Sequence, residues 1–132
     1  MGLDIGTKRI GVALSDETGQ IASASEVVVR TSDSIAICRI KQIISESNVG
    51  KIVVGLPVNM DGSAGSSVKM SEKFAGKLKK ETEVDICFWD ERLSTREAEN
   101  IMISANVSRK KRKSVIDKLA AQIILQGYLD RA

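Results

Sequence analysis

Asp4 is the residue whose type and position most strongly suggest catalytic chemistry. It lies in the segment L-D-I-G-T-K-R-I-G, inside an apolar stretch typical of a strand. Gly6 follows it, at a point where backbone or ligand could approach closely. A carboxylate in a central strand is costly to bury unless a cation accompanies it. The alternative is a strand-end aspartate that caps the turn toward Thr7. We expect Asp4 to serve metal or phosphate chemistry.

Two further carboxylates stand side by side in the segment F-W-D-E-R-L-S-T, as Asp90 and Glu91. They fall where a predicted parallel strand passes into a helix, which is the edge on which α/β proteins bind ligands. Successive side chains of a strand point to opposite faces, so only one of the pair can join Asp4. The alternative is that both are solvated and that one pairs with Arg92.

Asp117 is the third candidate, on the last predicted helix. At about 100° per residue, it points nearly opposite to the polar face, in line with apolar positions of that helix. The polar face consists of Lys118, Gln122, Gln126 and Asp130. The competing interpretation is structural, because Ser114-x-x-Asp117 also matches a capping box. Both interpretations can hold if the start of the helix presents Asp117 inward.

Carboxylates from a first strand, a late strand end and a last helix could converge on one site. Two Mg²⁺ or Mn²⁺ ions, about 4 Å apart, would there activate water and stabilise the leaving oxygen of a phosphodiester. Magnesium suits such a site because it accepts a few carboxylates and keeps other positions for water and phosphate. The chain has no histidine, which excludes Ser-His and Cys-His nucleophile pairs and zinc sites that use histidine.

The distribution of positive charge suggests where phosphate would bind. The net charge is only +3, but five consecutive residues are cationic. They are Arg109, Lys110, Lys111, Arg112 and Lys113. Such a patch could contact nucleic acid, or it could be a solvated loop before the last helix. In the second case the nucleic-acid path would run along Lys8 and Arg9.

The elements that must position these residues follow from the apolar patterns. Strands are predicted at 2–6, 9–14, 26–30, 51–58 and 84–89, and helices at about 33–47, 67–81 and 115–129, with another beginning at Ser94. An opening antiparallel meander followed by alternating helices and strands predicts a three-layer α/β fold with a mixed five-stranded sheet and helices on both faces. We expect one domain over residues 1–132.

Cellular location is predicted from what the sequence lacks. No apolar run approaches the roughly 20 residues that span a bilayer, and the start does not look like a secretion signal. Cys38 and Cys87 lie among apolar neighbours, so we expect both to be buried free thiols. The chain is therefore expected in the cytoplasm, away from membranes.

Four segments together resemble the YqgF family, whose members are described as Holliday junction resolvases and as nucleases for the 5′ end of pre-16S rRNA. They are L-D-I-G-T-K-R-I-G-V-A-L-S-D, I-V-V-G-L-P-V-N-M-D-G-S, D-E-R-L-S-T and D-K-L-A-A-Q-I-I-L-Q-G-Y-L, in the family's order. The resemblance implies a ribonuclease-H-like fold, a bacterial source, and Asp4, Glu91 and Asp117 as the metal-binding acids, with Asp90 the alternative to Glu91. Family members usually have a few more residues before the first segment.

The sequence leaves the substrate and the assembly open. Pre-rRNA and branched DNA both fit, and a junction resolvase normally needs two active sites, so either a monomer or a homodimer is possible. Two other classes of function remain. D-I-G-T-K is similar to the first phosphate loop of actin-like ATPases and sugar kinases, which need two such domains. A binding module that holds RNA through the basic run without cutting it is the second.

Overall fold

The computed structural model describes residues 1–57, 65–90 and 109–131, with the backbone alone for residues 109–118. Five strands and three helices lie within these ranges. They are β1 (Gly2–Ile5), β2 (Arg9–Ser15), β3 (Ala22–Val29), α1 (Asp33–Glu46), β4 (Lys51–Leu56), α2 (Ser66–Glu81), β5 (Asp85–Asp90) and α3 (Arg109–Arg131). The helix predicted from Ser94 lies outside the described residues.

The strands form a mixed sheet in the order β3-β2-β1-β4-β5. β1, β2 and β3 are an antiparallel meander, whereas β4 and β5 run parallel to β1. The turn between β2 and β3 contains Gly19 at φ 71°, and the Asp16 carboxylate accepts the backbone N–H groups of Gln20 and Ile21. The predicted mixed five-stranded sheet is confirmed, with β1 at its centre.

Helices cover both faces of this sheet, as predicted. One face carries the larger core, in which Leu3, Ile10 and Ile52 pack against α1 and α2. The other face packs against α3 through a smaller cluster that includes Ala13, Val53 and Leu125. Met1 extends the pairing of β1, because its amino group donates to the Lys51 carbonyl and its carbonyl accepts the Val53 N–H.

α1 begins where predicted, but its buried face differs from the one that the apolar spacing predicts, which consists of Ile35, Cys38, Ile40, Ile43 and Ile44. Ser32 caps the helix by accepting the Ile35 N–H. The residues that face the core are Ala36, Ile37, Ile40 and Ile43, whereas Ile35 is 57% exposed. Cys38 is also exposed, so the prediction that both thiols are buried is wrong for Cys38; Cys87 is half-buried. Both cysteines are free thiols, as expected.

α3 begins well before the predicted residue 115. The run Arg109 to Lys113 forms the first turns of this helix, so the alternative of a solvated loop is wrong. For the same reason Ser114 does not cap the helix, and the capping-box interpretation of Ser114 and Asp117 is wrong as well. The polar composition of the run hid its helical state, although lysine and arginine are good helix formers.

Candidate active site

Asp4 lies in the central strand at the point where both neighbouring strands carry glycine. It pairs with Gly11 of β2. On the other side, Leu3 pairs with Val54 of the parallel strand β4. The next residue of each strand is Asp4 and Gly55, so Gly55 lies beside Asp4. The Asp4 side chain therefore has no neighbouring strand side chain at its own level, and the residue is half-buried. This leaves room around a carboxylate near the carboxyl end of β1.

α3 lies directly over the face from which Asp4 projects. Gly2 shares that face because it is two residues away in the strand. A Cβ added to Gly2 would lie 2.8 Å from Leu125 Cβ and 2.9 Å from the Ala121 carbonyl oxygen. Strand and helix backbones are therefore as close here as a glycine allows.

The direction of α3 brings its first half toward the carboxyl ends of the parallel strands. Near its end, the Tyr128 ring lies 5.2 Å from Lys51 Nζ, at the first residue of β4. Earlier residues of the helix run the opposite way to β1 and β4. Asp117 lies one turn before Ala121, just as Asp4 lies beyond Gly2 along β1. The backbone thus carries both acids toward the same edge of the sheet.

At the end of β5 the structure shows on which face of the sheet Asp90 lies. Trp89 packs against α3, where its ring meets Tyr128 edge-on at 6.1 Å between centroids. Trp89 therefore shares the face of Asp4. Asp90 is exposed and shares the opposite face with Ile86, which packs against the larger core. Glu91 lies outside the described residues, so its assignment stays a prediction.

A partly buried ion pair, which was not predicted, holds the β1–β2 hairpin beside this edge. Arg30 donates from Nε to Asp33 at 2.8 Å and from Nη1 to the Gly6 carbonyl at 2.8 Å. Its side chain is only 12% exposed, and its guanidinium lies over the Phe74 ring. Lys77 donates to the same Asp33 carboxylate at 2.7 Å. These contacts, with that of Arg30 foremost, lower the pKa of Asp33. An arginine just before a helix that begins with aspartate is the signal that could have indicated this pair.

A close contact within the β1–β2 hairpin explains why residue 6 is a glycine. A Cβ there would lie 2.5 Å from the Arg9 carbonyl oxygen, to which the Gly6 N–H donates. The group that approaches Gly6 closely is therefore the backbone of Arg9, in the same hairpin. Lys8 is exposed at the tip of this hairpin, and Arg9 is half-buried at the start of β2.

The described side chains contain one of the three predicted metal ligands, Asp4. No group of three His, Cys, Asp or Glu side chains close enough to hold a metal ion occurs among the residues whose side chains are described. The position of Asp4 nevertheless fits a divalent ion, since it offers oxygen donors in a space bordered by Gly11 and Gly55. A separate groove of about 680 Å³ lies between α1 and α2, on the other face of the sheet.

Comparison with known proteins agrees with the family suggested by the sequence. A family model described as "RuvX: Holliday junction resolvase" matches residues 1–131. A relative from Bacillus cereus (strain B4264) is 50% identical over 99% of this chain and 97% of its own length. One from Carboxydothermus hydrogenoformans is 52% identical over 98% of this chain and 94% of its own length. Both are named "Putative pre-16S rRNA nuclease".

Solved structures share the fold at low sequence identity. Thermus thermophilus RuvC in complex with a Holliday junction has a TM-score of 0.57 and 13% identity, over 98% of this chain and 92% of that chain. Fowlpox virus resolvase in complex with Holliday junction DNA also has a TM-score of 0.57, with 11% identity, over 98% and 95% of the two chains. The predicted ribonuclease-H-like fold is confirmed by these likenesses.

The described helices contain no segment long and apolar enough to cross a membrane.

The family model covers nearly the whole chain, and relatives about half identical in sequence cover it equally well. The chain therefore belongs to the RuvX family, which is the family introduced above as YqgF.

Proposed function

We propose that this chain is a metal-dependent nuclease that hydrolyses phosphodiester bonds in structured nucleic acid, with the whole chain forming one catalytic domain. The observation that carries the proposal is the position of Asp4. It is a half-buried carboxylate in the central strand, bordered by glycines and facing the helix that bears Asp117. Family membership supports the same activity.

Asp4, Glu91 and Asp117 would hold two Mg²⁺ or Mn²⁺ ions at this edge. When bound, such ions activate water and stabilise the leaving oxygen in phosphodiester hydrolysis. The opposite facing of Asp90 favours Glu91 as the third acid, because strand alternation continued two residues beyond Trp89 would return to the face of Asp4.

The chain's own residues supply position and charge. Asp4 is held in a strand that pairs on both sides, so its backbone is fixed near this edge of the sheet. The first turns of α3 combine the positive end of a helix dipole with five basic residues, Arg109 to Lys113. Cations at that end of a helix are unfavourable by themselves, and phosphate groups would offset their repulsion. With Lys8 and Arg9, these residues would bind the nucleic-acid backbone.

The substrate proposed first is the 5′ end of pre-16S rRNA, which the names of close relatives indicate. A four-way DNA junction is the second candidate, favoured by the family description and by the complexes of the structural neighbours. Cleavage of a junction would call for a homodimer, whereas rRNA processing could be carried out by a monomer. The proposed location is the cytoplasm, where both substrates occur in bacteria.

One assay tests the proposal. The purified protein is incubated with an RNA that spans the 5′ end of pre-16S rRNA and, separately, with a synthetic four-way DNA junction. Each reaction contains Mg²⁺, Mn²⁺ or EDTA. We expect metal-dependent cleavage, with the RNA cut faster. Binding without cleavage of either substrate would contradict the proposal and favour a non-catalytic RNA-binding module. Nucleotide hydrolysis without strand cleavage would favour the ATPase alternative.

A further inference from the structure

α2 carries a stripe of lysines that the proposed catalytic site does not use. Four exposed lysines follow one another at intervals of four, four and three residues. They are Lys69, Lys73, Lys77 and Lys80, called here the lysine stripe. At about 100° per residue they fall within a sector of about 80°, and at about 1.5 Å rise they extend over about 16 Å.

The stripe points directly away from the core. The buried residues of α2, among them Val68, Phe74 and Leu78, lie on the opposite side of the helix. Within the described part of the chain, Lys69, Lys73 and Lys80 make no ion pair or hydrogen bond. Of the two acids on α2, Glu81 pairs with Lys41, and Glu72 lies about 60° from the near edge of the stripe.

This arrangement is unfavourable unless something negative binds to it. Like charges four residues apart on a helix destabilise it by about 0.2–0.5 kcal/mol per pair. A solvated helix face usually mixes both signs, as α1 does with Arg39 and Glu46, whose charged groups lie 3.9 Å apart. A row of cations about 6 Å apart, with no acids between them, instead complements a row of phosphates.

Contacts connect the stripe with the catalytic edge. Lys77 binds Asp33, which binds Arg30, and Arg30 in turn donates to the carbonyl of Gly6, two residues after Asp4. The Arg30 N–H also donates to the carbonyl of Lys8 at the hairpin tip. The stripe is therefore linked to the hairpin through Lys77, and it extends along α2 in both directions from that residue.

We propose that the lysine stripe binds the sugar-phosphate backbone of the nucleic-acid segment that flanks the scissile phosphate. This inference rests on the proposed function and adds a second contact surface to it. The stripe would bind RNA and DNA alike, since its contacts are with phosphate and not with bases. It would raise affinity without taking part in hydrolysis.

The test is the triple variant Lys69→Ala, Lys73→Ala and Lys80→Ala, which leaves Lys77 paired with Asp33. Binding to the pre-16S RNA and to the four-way junction is measured in EDTA at several salt concentrations. Each lost phosphate contact lowers the slope of log affinity against log salt by about 0.7–0.9, which corresponds to roughly fourfold to fivefold in affinity near 0.15 M salt. We expect the triple variant to bind about a hundredfold more weakly, with the slope flatter by about two to three units.

Lys79 provides a matched control on the same helix. It is exposed, and like Lys73 it makes no ion pair or hydrogen bond with the described residues, but it lies about 120° from the middle of the stripe. Lys73→Ala should weaken binding several-fold, whereas Lys79→Ala should leave it nearly unchanged. Equal effects of the two single variants would overturn the proposal, because only net charge would then matter. An unchanged salt slope in the triple variant would overturn it as well.

The outcomes separate this inference from the proposed function. If the wild-type protein binds both substrates but cuts neither in Mg²⁺ or Mn²⁺, the nuclease proposal fails while the stripe is still tested by binding. If the protein cuts and the triple variant binds normally, the stripe proposal alone fails. At saturating substrate the triple variant should cut at the wild-type rate.

Discussion

The two faces of the sheet meet their helices through different kinds of side chain. On the side of α1 and α2, large apolar residues such as Leu3, Ile10 and Phe74 are completely buried. On the side of α3, the strands present Gly2, Ala13 and the half-buried Asp4. Among the described residues the first face supplies most of the apolar burial, and the second leaves space around the Asp4 carboxylate. Alternation along β1 produces both surfaces from four residues.

The sharpest test of this division is Asp4→Asn. The amide keeps the size of the side chain but removes the charge that a metal ion would neutralise. We expect cleavage to fall by about 10²–10³-fold, as for the loss of one key electrostatic group, with an unchanged thermal unfolding midpoint. Asp85→Asn, the same change at the first residue of β5, should leave the rate unchanged. Cleavage by the Asp4 variant above about a tenth of the wild-type rate would exclude Asp4 as a ligand.

The pair at the end of β5 tests whether the face of the sheet decides function. Glu91→Gln should lower cleavage by about 10²-fold or more, and Asp90→Asn by much less, because Asp90 shares the face of Ile86. Both rates are measured at saturating substrate and metal. Loss of activity in the Asp90 variant alone would reverse the assignment.

The start of α3 offers a comparison with the lysine stripe. Replacing Lys110, Lys111 and Arg112 by alanine keeps good helix formers in the first turns while removing three charges. Binding to all nucleic acids should weaken by about a hundredfold, with a salt slope flatter by about two to three units. Turnover at saturating substrate should change little. An unchanged slope would direct the nucleic-acid path to Lys8, Arg9 and α2.

The sequence predicted the sheet and most helix positions because local patterns decide them. The continuous apolar run of β4 follows directly from the covering of both faces of the sheet. The opposite facing of Trp89 and Asp90 was also predictable, since it needs only the period of a strand. The start of α3 was missed because five cations in a row look like a solvated segment.

Long-range contacts account for the rest of what the sequence could not predict. Arg30 joins Asp33, Gly6 and Phe74, which belong to three different elements, and no local pattern reveals such a meeting. The exposure of Cys38 was missed because several apolar stripes fit α1 equally well by spacing. Only the packing of the helix on the sheet selected the stripe that contains Ile37.

Two glycines, one packed against α3 and one on the open surface of α2, allow the close packing of α3 to be tested. Gly2→Ala places a Cβ 2.8 Å from Leu125 Cβ and 2.9 Å from the Ala121 carbonyl oxygen, so α3 must shift. We expect a loss of about 1–3 kcal/mol in the free energy of unfolding, together with slower cleavage. Gly76→Ala meets nothing within 4 Å on α2 and should stabilise the protein by about 0.5–1 kcal/mol. Urea unfolding of both variants measures the difference, and equal stabilities would contradict the close packing of α3.

The smallest expected effect concerns Asp33, on the face away from Asp4. Arg30 first, and then Lys77, stabilise its carboxylate, so the pKa of Asp33 lies below its usual value in the folded protein. As the pH falls, the unfolded chain binds this proton first. The contribution of the Asp33 carboxylate to the stability of the fold is therefore complete above about pH 4, the ordinary aspartate pKa. It is lost as the pH falls through the lower pKa that Asp33 has in the folded protein.

Asp33→Asn should accordingly cost about 0.5–1 kcal/mol near pH 6, a modest amount because the side chains of Asp33 and Lys77 are 26% and 44% exposed. The difference between variant and wild type should shrink steadily below pH 4, as protonation removes the same charge from the wild type. Urea unfolding at pH 3 and pH 6 checks this. A difference that is the same at both values would mean that Asp33 acts through neutral hydrogen bonds. The pair with Arg30 would then fix the hairpin by its shape and not by its charge.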